Sequence, residues 1–473
     1  MAHGNDTPRL SRRGFVSAVG LGTAAALAGS VVGPGSAYAV SADEARQRVV
    51  VIGGGIAGLA TAWLLDGLHD VTVLESAPSL GGHVASVPVE TSDGRRAIVD
   101  LGAQFFGSHS HPIYHKLVTS VLQVPTVANR FDNTVTRYGE QTPVMVTPGA
   151  DRPITDVLPY LPALQAVAEL MDRARELEAN RDWGVTVTDL VEAMTVEDAL
   201  KQSLVYPYVA SVNGATVSQV KDFSARAALA LGVRPLVGDG TEQTTDYVNA
   251  RDGLQSVISA MAGELTGVTT LVNTQAVGLT RSGQVYQVTD SRGQVHLADQ
   301  VVFALPPESA VPLVSQLPQA GRLTQIYGRF RYMPGRIVIH EDPVYMPALT
   351  ADWSSFNITH DDDYAEASIS YGRLRGDIDV FKSWALHRRE EPKRLLAAQD
   401  FRHPMITPDF IRAQGDLRGL NGKDGLWFAG SHVVDVDSQE SALYSALTIG
   451  NALAPESANR TRLGVLPTTP VTP

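Results

Sequence analysis

The sequence predicts an α/β chain in which a discontinuous Rossmann-type domain is interrupted by an α+β domain. Three stretches predict it: a β-branched run ending in closely spaced glycines at residues 48–58, a helically periodic middle, and a second strand-then-glycine pattern at 425–432.

Val49 to Ile52 reads as a buried parallel strand that feeds Gly53, Gly55 and Gly58 at G-x-G-x-x-G spacing. Gly53 permits a tight turn, Gly55 lets backbone approach a pyrophosphate, and Gly58 lets a helix from Ile56 to Leu68 pack closely on the strand. The phosphates belong at the start of that helix, at Ile56 and Ala57, where free N–H groups and the dipole favour negative charge. A second strand, Val71 to Leu74, ends in Glu75, 22 residues after Gly53. A carboxylate there takes both hydroxyls of an adenosine ribose and disfavours a 2′-phosphate, which argues against NADP.

Gly81, Gly82 and His83 follow. A glycine pair just after the ribose acid resembles the FAD-binding start of the flavin-containing amine oxidase superfamily, usually E-x5-GG-R, with His83 standing in place of arginine. The resemblance implies FAD as cofactor. Val84 to Val99 alternates apolar and polar residues about Ser92-Asp93-Gly94, the pattern of a hairpin. It leads to Asp100-Leu101-Gly102-Ala103, similar to the superfamily's "DLGA" stretch, which implies backbone passing close to the flavin at Gly102 and Ala103. His109, His111 and His115 have the spacing of zinc ligands, but no convincing fourth ligand accompanies them, and a surface loop entering a helix at Pro112 is the simpler reading. No metal is expected.

Residues 155–235 carry helical periodicity, as in Leu161 to Leu177 and Val196 to Val205, broken at Asn213-Gly214. They hold no cofactor motif and read as part of a substrate domain. A helix from Asp252-Gly253 to Ala262, a strand from Val268 to Val277, a hairpin about Ser291-Arg292-Gly293 and a strand ending Ala304-Leu305-Pro306-Pro307 resemble the superfamily's return to its FAD domain. That resemblance puts Val277 at the adenine-side backbone contact.

Residues 334–342 and 351–357 resemble a bacterial subgroup of FAD-binding oxidoreductases linked to lipid modification. Amine oxidases usually carry a lysine near 335 or 336; this chain has Gly335-Arg336. The subgroup resemblance brings His340 and Trp353 forward as catalytic candidates. Asp361-Asp362-Asp363 reads as a solvated loop, and Arg388 to Lys393 as a mixed-charge helix face. Gly425 to His432 and Asp437 to Glu440 resemble the second FAD motif, a strand ending in "FAG" before a helix whose N-terminus faces the flavin's pyrimidine end. This implies contacts from Gly430, Ser431, Ser438 and Ala442, with Ser431 where the family has an acid. His432, inside that motif, is the leading catalytic candidate, and Tyr444 reads as packing.

The expected organisation is a twin-arginine signal peptide (1–39), an FAD-binding domain from 40–120, 250–310 and 420–458, a substrate domain from 121–249 and 311–419, and a disordered tail (459–473). The signal rests on Ser11-Arg12-Arg13-Gly14-Phe15-Val16, an apolar run to Val32 and Ala37-Tyr38-Ala39. Cleavage there leaves no stable membrane anchor, and the protein is expected outside the cytoplasm. The net charge of −12 then becomes −14, with no basic stripe, so nucleic acid is excluded as a partner. Zero cysteines exclude a thiol nucleophile and a cysteinyl flavin. The expectation is an exported FAD-dependent oxidoreductase acting on a small molecule, amine or lipid. Hydride passes from substrate carbon to flavin N5 with molecular oxygen as acceptor, or the enzyme is a double-bond isomerase or desaturase of an apolar chain.

Overall fold

The computed structural model describes residues 46–149, 152–237, 244–318 and 320–464. The stretch expected to be a signal peptide (1–39) and the last nine residues lie outside them. Five parallel strands form one sheet in the order Thr269–Leu271, Asp70–Leu74, Arg48–Ile52, Gln300–Phe303 and Leu426–Phe428. The β-branched run earns this central place because both its faces are covered: Val50 and Ile52 enter one apolar cluster, Val49 and Val51 another. Helix Ile56–Leu65 packs on helix Gln439–Leu453, so the two nucleotide motifs, nearly 400 residues apart in sequence, meet.

The expected strand from Val268 to Val277 is divided. Thr269–Leu271 joins the parallel sheet, and Ala276–Ser282 opens a separate antiparallel sheet with Val285–Asp290 and Val295–Ala298. Between them Asn273, at φ 50°, and Thr274 turn back to donate their N–H groups to the Ala77 and Glu75 carbonyls.

Seven strands form the second large sheet, in the order Leu395–Pro404, Tyr332–His340, Phe381–Trp384, Tyr364–Ser370, Phe356–Asp361, Asn133–Arg137 and Met145–Val146. The register puts Ile339, Lys382, Ile369 and Phe356 in one row on one face. That face is shared. Val89, Val99 and Leu101 of the 86–100 hairpin cover its Ile337, Ile339 and Ile369, while helices Leu161–Asn180, Tyr206–Asn213 and Ala225–Val233 cover Val135, Ile358 and Ala367. The opposite face carries His340, Ser368 and Ser383. Gly214, at φ 61°, ends its helix where the sequence breaks.

Two expectations change. Arg388 to Lys393 is not helical: Arg388 folds inward to pair with Glu366 at 3.2 Å, so buried charge, not a solvated face, decides this segment. The tail is ordered at its start: Ala458–Leu463 is a helix, docked by buried Leu463 and by Arg462 on Glu264 at 2.6 Å. Among the described residues no helix is long and apolar enough to cross a membrane.

Candidate active site

The glycine turn is built by close approach. Gly53 has φ 108°, and a Cβ on it would lie 2.3 Å from the Ala304 carbonyl oxygen; a Cβ on Gly58 would lie 1.9 Å from the Gly53 oxygen. Gly55 differs. A Cβ there meets only Gly82 at 3.7 Å, and both Gly55 and Ile56 keep exposed surface. The helix they start has no side-chain cap, so its first N–H groups, including that of Ala57, offer an anion seat. Glu75 is fixed beside the turn by the Gly54 N–H at 2.6 Å and the Ala77 N–H at 2.7 Å.

From this turn a groove continues along backbone that has surface to spare. Gly81 (φ 137°) donates its N–H to the Gly54 carbonyl at 3.0 Å; Gly82 and His83 are exposed. Gly102 crosses His83 so closely that a Cβ would lie 1.9 Å from the His83 oxygen, and partly exposed Ala103 follows. At the far end Gly430 (φ 140°) and Ser431 turn toward Asp437, whose carboxylate accepts from the Ser431 hydroxyl. Ser438 caps helix Gln439–Leu453 by accepting from the Ser441 N–H at 3.1 Å. Ala442 is buried one turn on, and Gln439 Nε2 is buried without a hydrogen-bond partner.

The substrate sheet closes the groove with residues that the sequence motifs do not mark. Lys382 is 7% exposed and donates to the Gly102 carbonyl at 2.8 Å and to Gln104 Oε1 at 2.5 Å. Desolvation lowers its pKa to about 7, opposed by the charge of Asp100. Trp384, two residues on, fills the space over Gly335: a Cβ there would lie 2.7 Å from the indole. His403 meets Trp384 edge-on at 4.9 Å. Burial holds His403 below the ordinary histidine pKa, with Asp437 opposing and His83 and Lys382 adding to the depression.

The sequence-derived catalytic candidates lie elsewhere. His432 is buried edge-on to Phe330 at 5.6 Å, its Nε2 unpartnered and its pKa lowered to about 4 by burial, because the Ser431–Val433 turn sends Ser431 to Asp437 and His432 into the core. His340 and Trp353 are on the far side of the substrate sheet from Lys382. His340 donates through Nδ1 to the Asp342 carbonyl at 2.7 Å and has Nε2 2.8 Å from Ser383 Oγ. Trp353 packs on Phe381 and lines an outer cleft of about 760 Å³. Val277 has a half-exposed side chain and a carbonyl that accepts from Gln316, and the backbone crossing Glu75 is that of Thr274. His109 pairs with Asp246 at 2.9 Å and His111 is buried against Ser110; among the described residues no group of three or more His, Asp or Glu is arranged for a metal.

The sequence matches the profile of the flavin-containing amine oxidoreductases over residues 56–342, well over half of the chain. The chain belongs to this family. As a flavin-containing amine oxidoreductase it is an FAD-dependent enzyme, and the groove suits that cofactor: the opening at Gly55, the fixed Glu75 and the crossing at Gly102 leave room where side chains would close it. The fold is shared with cyclohexylamine oxidase from Brevibacterium oxydans (TM-score 0.61, 16% identity, 87% of this chain and 99% of that one). It is shared equally with wild-type putrescine oxidase bound to putrescine (0.59, 14%, 87% and 98%) and with a CLA-producing fatty acid isomerase from P. acnes (0.59, 14%, 87% and 99%).

Proposed function

We propose that this flavoenzyme is exported and oxidises a small molecule, its electrons passing finally to molecular oxygen. Bound FAD supplies a hydride acceptor at flavin N5. The observation that carries the reading is Lys382 bound to the Gly102 carbonyl where Gly102 crosses His83, with His403 against Trp384 on the same sheet. His403, neutral at pH 7 because it is buried, takes the proton a substrate loses. This role moves to it from His432, which is sealed in the core. The N-terminus of helix Gln439–Leu453, capped by Ser438, favours negative charge at the groove's end. Trp384 and the hairpin around Gly102 exclude water.

Anaerobic mixing with substrate should bleach the flavin, and air should restore it with release of hydrogen peroxide. His403→Gln should slow bleaching at least ~10²-fold with FAD still bound; an unchanged rate returns His403 to a packing role. Export is tested by N-terminal sequencing of the extracytoplasmic protein, expected to begin near Val40.

A second reading, a double-bond isomerase or desaturase of an apolar chain, is favoured by Gly335-Arg336 standing where amine oxidases usually carry a lysine, with Trp384 filling the space over Gly335. It predicts slight bleaching and no peroxide.

A further inference from the structure

Among the described residues Lys382 is a buried cation with no carboxylate in ion-pair range. The acid it senses, Asp100, is committed to the Ser86 hydroxyl and the Leu254 N–H, and burial raises its pKa toward the neutral form. Two of the three ammonium donors are used, by Gly102 and Gln104; the third has no partner among the described residues. Such a group is retained at a cost unless something else supplies its counter-charge.

The same sheet face supplies a second feature. Lys382, Ile369 and Phe356 stand side by side on adjacent strands, which puts Phe356 roughly 10 Å from Lys382. Phe356 belongs to a cluster with Phe105, Phe131 and Tyr247, ring centroids 5.3–5.8 Å apart. All four residues are partly exposed beside the sheet's buried face, with Phe131 also lining the outer cleft. A lone cation thus lies near a partly exposed aromatic cluster.

We propose that this face is the substrate site and takes a molecule that joins a carboxylate to an apolar body. The carboxylate meets Lys382 and the body lies on the four rings. The proposal rests on the oxidoreductase reading, since Gly102 belongs to the flavin groove. Large apolar amino acids and fatty acids share this chemistry, and a cationic amine without a carboxylate does not.

The test is calorimetric binding to the FAD-loaded protein of 3-phenylpropionate and decanoate, each against its own carboxamide. Both acids should bind at least tenfold tighter than their amides at pH 6.5, and the preference should shrink between pH 7 and 9 as Lys382 loses its proton. Binding at pH 8 should take up a proton. His403 is held below and Tyr371 above their ordinary values, so neither titrates in that window. Asp100 is retained in Lys382→Met, which should erase the acid preference and its pH dependence; Lys382→Arg should keep the preference to pH 9. Phe356→Ala should weaken acid and amide alike. The tighter of the two acids separates an amino-acid-like from a fatty-acid source. Equal binding of acid and amide to the wild type, or an undiminished preference in Lys382→Met, would overturn the proposal. A wild-type protein isolated without flavin would instead overturn the oxidoreductase reading, and the acid preference would still be read on it.

Discussion

Two glycines three residues apart have opposite sensitivities. A methyl group on Gly58 would collide with the Gly53 carbonyl at 1.9 Å and push the first helix off its strand, whereas one on Gly55 meets ordinary protein contact at 3.7 Å. Gly58→Ala should therefore lower the melting temperature of the apoprotein, and Gly55→Val should leave it nearly unchanged while FAD titration shows lost affinity. Equal melting of the two apoproteins would remove the distinction.

His432 offers a pH test. The unfolded chain protonates it near pH 6.5 and the folded chain only at about 4, so its stabilising contribution is complete above 6.5 and is lost as the pH falls through that window. Each pH unit there is worth up to about 1.4 kcal/mol per group. His432→Leu, which removes a buried unpartnered nitrogen, should melt with a smaller drop between pH 7 and 5 than the wild type. Turnover near that of the wild type would agree with its place in the core.

Among the elements, the segment 433–438 is held from three sides. Arg234 clamps Asp435 with two bonds of 2.6 and 2.9 Å, Gln414 donates to the Asp435 carbonyl and Arg418 to that of Val433. Asp435 sits at φ 57° and leads to the Ser438 cap, so the clamp fixes how helix Gln439–Leu453 presents its N-terminus. Arg234 also holds Glu178 of helix Leu161–Asn180. Arg234→Met would leave buried Asp435 without its cation, while partly exposed Glu178 keeps Arg226, and denaturant unfolding should show a loss of about 3 kcal/mol together with weaker FAD retention. Elements of this kind divide by legibility. The glycine turn, the 86–100 hairpin and helix Leu161–Asn180 were readable because local pattern and final environment agree. Lys382 was not: in Phe381-Lys382-Ser383-Trp384 a lysine marks a solvent face, and only Gly102 and Gln104, some 280 residues earlier, make its burial tolerable. Arg388 was hidden in the same way by Glu366, and the division of the Val268 to Val277 strand was missed because nothing in that stretch marks the turn at Asn273.

For the molecule as a whole, FAD is expected to act as a folding ligand. A hundredfold excess over its dissociation constant adds about 2.7 kcal/mol, so the apoprotein's melting temperature should climb with added FAD and stay flat with FMN, which has no adenosine for Glu75. Equal shifts from both would contradict the dinucleotide reading.

The order of the parallel sheet also has a consequence in time. Arg48–Ile52 finds Asp70–Leu74 soon after it is made, but its other neighbour, Gln300–Phe303, and that strand's neighbour, Leu426–Phe428, are made much later. At the usual 5–20 residues per second, tens of seconds separate the Gly55 turn from the Ser438 helix. Throughout synthesis the chain holds half of a nucleotide cradle, and the flavin finds a complete seat only when nearly all of the polypeptide has been translated. A leader that engaged a threading translocon during those seconds would carry away a chain that had never met its cofactor. For the export proposed above, transport after folding is the route compatible with loading flavin where flavin is made.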